Sequence, residues 1–280
     1  MIDGSETSVP AVVVKPSRGW SGIRLRELFQ YRELLYFLTW RDIKVRYKQT
    51  LLGATWAVLQ PFLTMIIFTI FFGKIAGISS DGAPYPIFSY AGLLPWTYFA
   101  NAVSLSSSSL VASSNMIRKV YFPRMLVPIG ATLAGLVDYL IAMSILAAMM
   151  LYYHITPGLQ ILLLPLPIIM SFITAAGVGL WLSALNVQFR DVKYVVPFLI
   201  QAWLFLTPVI YPTSIVPEAY RWLLRLNPMT GVVEFHRAII LQTRAVDWAA
   251  MLVSLGVCLA VFAAGAVYFR RMERSFADVI

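Results

Sequence analysis

Residues 52–72 read LGATWAVLQPFLTMIIFTIFF, and no charged residue occurs anywhere between Lys48 and Lys74. A helix needs about 20 mainly apolar residues to cross the roughly 30 Å of hydrocarbon in a bilayer, so this stretch is one membrane crossing. The rest of the chain has the same character. Of 280 residues, 59% are hydrophobic, 14% aromatic and only 12% charged, with a mean hydropathy of +0.75. A soluble domain carries about 25% charge, and a disordered chain is polar and poor in aromatics. Both classes are excluded, which leaves an all-α integral membrane protein.

Outward from this first span, five more apolar stretches follow: Pro86–Ser113, Met125–Tyr153, Gln160–Asn186, Tyr194–Tyr211 and Trp248–Phe269. The expectation is six transmembrane helices, with a kink in the fourth at Pro165 and Pro167. With both termini in the cytoplasm, 17 of the 22 basic residues lie inside. Only Lys74, Arg221, Arg225, Arg237 and Arg244 lie outside, as the bias of Lys and Arg toward cytoplasmic loops requires. The formal charge of +9 then belongs to basic segments beside anionic membrane lipids, and no nucleic-acid partner is expected.

Residues 1–22 form a cytoplasmic tail containing Pro10, Pro16 and Gly19, and residues 23–50 an amphipathic helix lying in the membrane interface. Residues 51–270 make the six-span domain, and 271–280 a cytoplasmic C-terminus. In the interface helix Arg41, Asp42, Lys44, Arg46 and Tyr47 are the candidate functional residues. The helix reads equally as a lipid-bound stop before the first span and as a docking surface for a cytoplasmic partner. Between spans five and six, residues 212–247 hold two short amphipathic segments divided by Asn227-Pro228. They read as two short re-entrant helices on the outer side, with Trp222, Leu226, Asn227, Pro228 and Phe235 as candidate gate residues.

The sequence contains no G-x-x-x-x-G-K-[ST], no H-E-x-x-H and no G-x-S-x-G. No P-loop, zinc-protease or hydrolase chemistry is therefore legible in it. A lone Cys258 and two histidines, His154 and His236, supply no metal-ligating cluster. No catalytic, cofactor-binding or metal residue is expected in this chain. Glu218, Glu234 and Asp247 are too widely spaced to make more than a weak case for acid–base work. Asp138 is the one carboxylate near the middle of a span, a position that costs about 2.5–3.5 kcal/mol on insertion scales. It reads either as a partner in helix packing or as a pathway residue.

The second span carries Ser106 and Ser109 within a run of serines, and Tyr90, Trp96, Tyr98 and Phe99 at its outer end. The serines suit close helix packing or a wet cavity. The aromatics suit an interfacial belt or a stacking surface for sugar rings. With Asp138, these are the candidate pathway residues. The inner loop Asn115-Met-Ile-Arg-Lys-Val-Tyr-Phe-Pro-Arg124 is short, basic and aromatic. Ile117, Val120, Tyr121 and Phe122 beside water imply that something docks there.

Arg41-Asp-Ile-Lys-Val-Arg-Tyr47, Leu52-Gly-Ala-Thr-Trp56 and Gln60-Pro61 resemble the start of the first span in ABC-2 type permeases that export polysaccharides. Ile117-Arg-Lys-Val-Tyr-Phe-Pro-Arg124 resembles their coupling helix. Asn186-Val-Gln-Phe-Arg-Asp-Val192, Thr207-Pro-Val-Ile-Tyr-Pro212 and Asn227-Pro-Met229 fit the later half, in order, so that the resemblance covers about residues 30 to 275. It implies a homodimer of bacterial inner-membrane permeases with two separate ABC ATPase subunits, which hold the ATP and Mg. The cargo would be a lipid-linked polysaccharide such as O-antigen, passing between the two permease copies. Asn115, Ile117, Arg118, Lys119, Val120, Tyr121, Phe122, Pro123 and Arg124, with the interface helix, would contact the ATPase. A drug or lipid exporter, and a membrane-embedded glycosyl- or acyltransferase, are the alternatives.

Overall fold

The computed structural model describes residues 29–48, 53–273 and 276. The expected tail 1–22, the first residues of the interface helix, residues 49–52 and most of the C-terminal segment beyond 273 lie outside the described residues. Among the described residues the fold is all-helical, with no strand. In chain order the helices are α1 (Arg32–Lys48), α2 (Gly53–Phe68), α3 (Tyr85–Ala112), α4 (Ser114–Lys119), α5 (Leu126–Tyr152), α6 (Pro165–Gln188), α7 (Val192–Leu206), α8 (Glu218–Leu226), α9 (Pro228–Leu241) and α10 (Trp248–Met272). A π-helical turn, Thr69–Ile75, extends α2, and a 3-10 turn, Leu159–Leu163, leads into α6.

Among the described residues, four helical stretches are long and apolar enough to cross a membrane: Thr55–Ile75, Leu126–Tyr152, Leu159–Gln188 and Trp248–Met272. The other two expected spans differ from them for separate reasons. Helix α3 has 28 residues, about 42 Å at 1.5 Å per residue, but its serines and tyrosines dilute its hydropathy. Those residues are tolerated because α3 is the hub of the fold, packed against α2, α5, α6 and α9. Helix α7 stops at Leu206 rather than at Tyr211 and has 15 residues, about 22 Å. Thr207 is extended, the conformation that a following proline, here Pro208, imposes. Pro165 and Pro167 also act differently from the expected kink. Pro165 opens α6 at its first position, where a missing N–H breaks no helical bond.

The core is built by close approach at small residues. A side chain added at Gly265 of α10 would collide with the backbone of Gly177 in α6. The glycines thus let these two helices touch backbone to backbone, the usual means of tight packing between membrane helices. Helix α1 lies along α5, with Leu38 buried while Tyr36, Phe37, Trp40 and Val45 stay exposed. Helices α2 and α7 are peripheral, and α7 buries only Val196.

Candidate functional site

Three features sit at three levels along α3. At its C-terminal end, the loop 114–124 is a short helix, α4, followed by an extended Val120. Its side chains divide sharply. Ile117 is 7% exposed and Phe122 4%, whereas Tyr121 is 79% exposed and Val120 57%. The expectation that all four face water is therefore corrected: Ile117 and Phe122 are anchors and the other two form the tip. The anchors share one apolar cluster with Leu38 of α1, Leu126 and Ile129 of α5, and Phe269 and Phe276 at the C-terminal end. The Phe269 and Phe276 rings meet edge to face at 5.4 Å. The loop is also tied to the end of α10: the Arg124 N–H donates to Glu273 Oε1 at 3.1 Å, and Arg124 Nη1 to the Glu273 carbonyl at 2.9 Å. Asn115, Arg118 and Lys119 remain exposed, and Pro123 is half-buried.

At the middle level lies an open groove of about 650 Å³ bounded by α1, α2, α3 and α5. Arg46 and Tyr47 of α1 both bond to Asp138 of α5, Arg46 as an ion pair and Tyr47 through its hydroxyl. Burial, and then the Asp138 carboxylate, push the Tyr47 phenol well above its ordinary pKa, so it stays a neutral donor. The wall of the groove adds Gln60, Thr97, Asn101 and Ser104, with Trp56, Tyr98 and Tyr139 as its rings. The other basic and acidic residues of α1 point elsewhere: Arg41 pairs with its neighbour Asp42 at 2.8 Å, and Lys44 is exposed.

The structure thus brings Tyr98 and Asp138 of the candidate pathway together, puts Tyr90, Trp96, Phe99 and Ser106 in the interior of the chain, and leaves Ser109 half-buried. Tyr90 and Phe99 are 0% exposed and Trp96 is 4%. The Tyr90 hydroxyl donates to the Ala142 carbonyl at 3.1 Å, and the Trp96 ring lies 5.5 Å from that of Phe99. Ser106 is buried and donates to the Pro128 carbonyl at 3.2 Å, while Ser109 donates back to Ser106 at 2.7 Å. These aromatics form neither an interfacial belt nor a free stacking surface. They pack between helices because α3 is central, which the sequence does not announce.

At the N-terminal end of α3, the two expected re-entrant helices prove unlike each other. Helix α8 buries no residue, with Trp222 58% and Leu226 56% exposed, whereas Pro228 and Phe235 of α9 are buried. Asn227 is the joint between them. Its Oδ1 accepts from Met229 N–H, capping α9, and from Trp203 Nε1 at 3.0 Å. Its Nδ2 donates to Thr207 Oγ1 at 2.9 Å. This one side chain therefore fixes the end of α7 against the start of α9.

Sequence reasoning missed what α9 carries. Arg237, counted among the outer-loop charges, is only 5% exposed. Its guanidinium donates to the carbonyls of Phe88, Pro208 and Val209, stands 3.7 Å over the Phe88 ring and faces Glu234 at 3.5 Å. Gly92 makes the room: any side chain there would strike this guanidinium. Beside it, His236 bonds through Nδ1 to the Ala91 carbonyl at 2.7 Å and through Nε2 to Tyr139 Oη at 2.8 Å. A carbonyl only accepts, so Nδ1 bears the proton and Nε2 accepts from the phenol. Burial pushes His236 down to about 4, which keeps it neutral. The hint in the sequence was the i,i+3 spacing of Glu234 and Arg237 on an otherwise apolar helix.

The sequence profile of the family described as "ABC-2 type transporter" matches residues 33–241. The chain is 30% identical to an O-antigen export system permease protein RfbA of Myxococcus xanthus, over 92% of this chain and 100% of that protein. It is 28% identical to an O-antigen export system permease protein RfbA of Klebsiella pneumoniae, over 89% of this chain and 95% of that protein. A polysialic acid transport protein KpsM of Escherichia coli is 29% identical over 70% of this chain and 77% of its own length.

Proposed function

The chain belongs to the ABC-2 type transporter family as a permease of the polysaccharide-exporting kind, and on that premise we propose that it moves a lipid-linked polysaccharide outward across the bacterial inner membrane. ATP is hydrolysed on separate partner subunits, which hold the nucleotide and Mg, and the cargo passes between two copies of this permease. In this reading the chain crosses the membrane six times with both termini in the cytoplasm, and α7 completes its crossing through the buried segment 207–210.

The observation that carries the reading is the anchored loop with an exposed tip. A loop that buries Ile117 and Phe122 while leaving Tyr121 79% exposed offers a rigid apolar knob to a partner. Large aromatic side chains in such positions are the usual anchors of interfaces. Leu38 of α1 lies in the same apolar cluster as those anchors, and α1 also carries Arg46 to Asp138. A push on Tyr121 therefore has a packed route to the groove. The groove supports cargo of the sugar class, because ring faces and amide and hydroxyl groups line it together. Helix α8, free of buried residues, is the outer piece suited to moving, with α9 as its fixed seat.

The test is made on cells depleted of this protein, by extracting lipid-linked glycans and locating them by side of membrane. Finished polymer accumulating on the cytoplasmic side is expected. Absent or truncated polymer would replace export with a transferase activity, and unchanged glycans would mean a different cargo.

A further inference from the structure

We infer that the outer end of the chain carries its own glycan-binding pocket, which takes up neutral, polyhydroxylated sugar units; the inference rests on the polysaccharide cargo proposed above. The pocket has a volume of about 420 Å³, inside the range of roughly 300–1,000 Å³ usual for ligand sites. It opens between α8, α9, the start of α10 and the loop at Asp81. These elements adjoin the N-terminal end of α3, about 42 Å of helix from the 114–124 loop.

The chemistry of the walls selects the ligand. Four arginines and three carboxylates line the pocket, and most are already matched. Arg244 pairs with Asp81 at 2.9 Å and Arg237 with Glu234 at 3.5 Å. Each of those carboxylates also accepts a hydroxyl: Ser214 Oγ donates to Asp81 at 2.8 Å and Thr213 Oγ1 to Glu234 at 3.1 Å. Matched pairs leave donors and acceptors side by side, held in place, with little net charge. An anion entering this space meets three carboxylates beside the four arginines, two of which are already paired within the pocket, and an apolar molecule strips water from polar groups without replacing it. A sugar hydroxyl both donates and accepts, so it satisfies either kind of group.

Polar groups in the wall still lack partners among the described residues, Thr230 and Arg225 among them. The Thr230 hydroxyl is buried, on a residue 5% exposed, and makes no hydrogen bond. Arg225 lies exposed at the rim, where water solvates it, and makes no hydrogen bond or ion pair among the described residues, so its guanidinium is available to a ligand. A buried polar group left unsatisfied costs on the order of 1–3 kcal/mol, so a native site that keeps one is explained when a ligand completes it. Phe235 and Met251 supply apolar wall for the C–H faces of a ring. A chain emerging from the pathway and held here is held against slipping back.

The experiment uses the full transporter with its ATPase partner in nanodiscs. The probe is the host's own exported glycan, cut from its lipid by mild acid and titrated calorimetrically. Wild type is expected to bind, with at least tenfold weaker binding in Arg225→Ala and in Thr230→Val. Valine matches threonine in shape and removes only an unpaired hydroxyl, so a folding defect cannot imitate that result. Equal binding by wild type and both variants overturns the pocket while leaving the cargo intact. No binding by wild type overturns it too. Competition by inorganic phosphate through Arg225 overturns it in favour of an anion site. The cargo itself is tested separately by the depletion experiment above.

Discussion

Arg237 meets its needs from three backbone carbonyls of two chain segments, an aromatic face and one glutamate, deep inside the protein. Arg46 meets its needs from a carboxylate at the edge of an open groove, with side-chain exposures of 25% for Arg46 and 19% for Asp138. Both are cations in a chain with few charges, but their surroundings assign them different work. A guanidinium satisfied by carbonyls on every side has no reason to leave, and it staples α9 to α3 and to the segment after α7. A cation paired with a carboxylate at the edge of open space lies within reach of other groups, so the Arg46–Asp138 contact has room to change where Arg237 has none.

The largest expected effect tests the staple. Arg237→Ala leaves three carbonyls and Glu234 unmatched in the interior, a loss of about 3–5 kcal/mol for a broken buried pair. Purified protein should melt far lower or fail to stay monodisperse, and Arg237→Lys should not restore it, since a single ammonium cannot span the three acceptors. Next comes Gly92→Ala, which crowds the same guanidinium and should cost about 1–3 kcal/mol. Its cost should shrink in the Arg237→Ala background, because the collision partner is gone. A thermal-denaturation double-mutant cycle reads this coupling.

Asp138→Asn should cost less stability, about 1 kcal/mol for a pair with this exposure, yet impair export severely. Adding Arg46→Gln should recover stability and not export. If export recovers as well, the pair is a packing device like Arg237 and the contrast collapses. The smallest effect on stability belongs to Tyr121→Ala, within about 0.5 kcal/mol for an exposed side chain. Its expected signature is ATP hydrolysis that continues while export fails, measured on the same reconstituted sample. Full export in this variant would remove the loop from the coupling route.

The same contrast explains what could be read early. Membrane class, the approximate positions of most helices and the break at Asn227-Pro228 were legible because each depends on neighbouring residues. An apolar run long enough to cross, a proline with no N–H and an asparagine that caps the next helix act through local geometry. That residues 115–124 form a break between two long helices was legible for the same reason. The division between Tyr121 and Phe122 was not, since it depends on Phe269 and Phe276, far along the chain. Nor was it evident that Tyr90, Trp96 and Phe99 are interior, because a belt and a core have the same composition.

By itself, then, the sequence determined a helical membrane protein with a basic, aromatic loop at 115–124 and a paired segment broken at Asn227-Pro228, since hydropathy and helix punctuation are local properties. The tertiary structure alone decided that Asp138 meets Arg46 from 92 positions away, that Arg237 lies buried rather than in an outer loop, and that α8 and α9 differ. Such outcomes depend on which helix faces meet, and contacts between distant segments leave no period or spacing in the chain to be read.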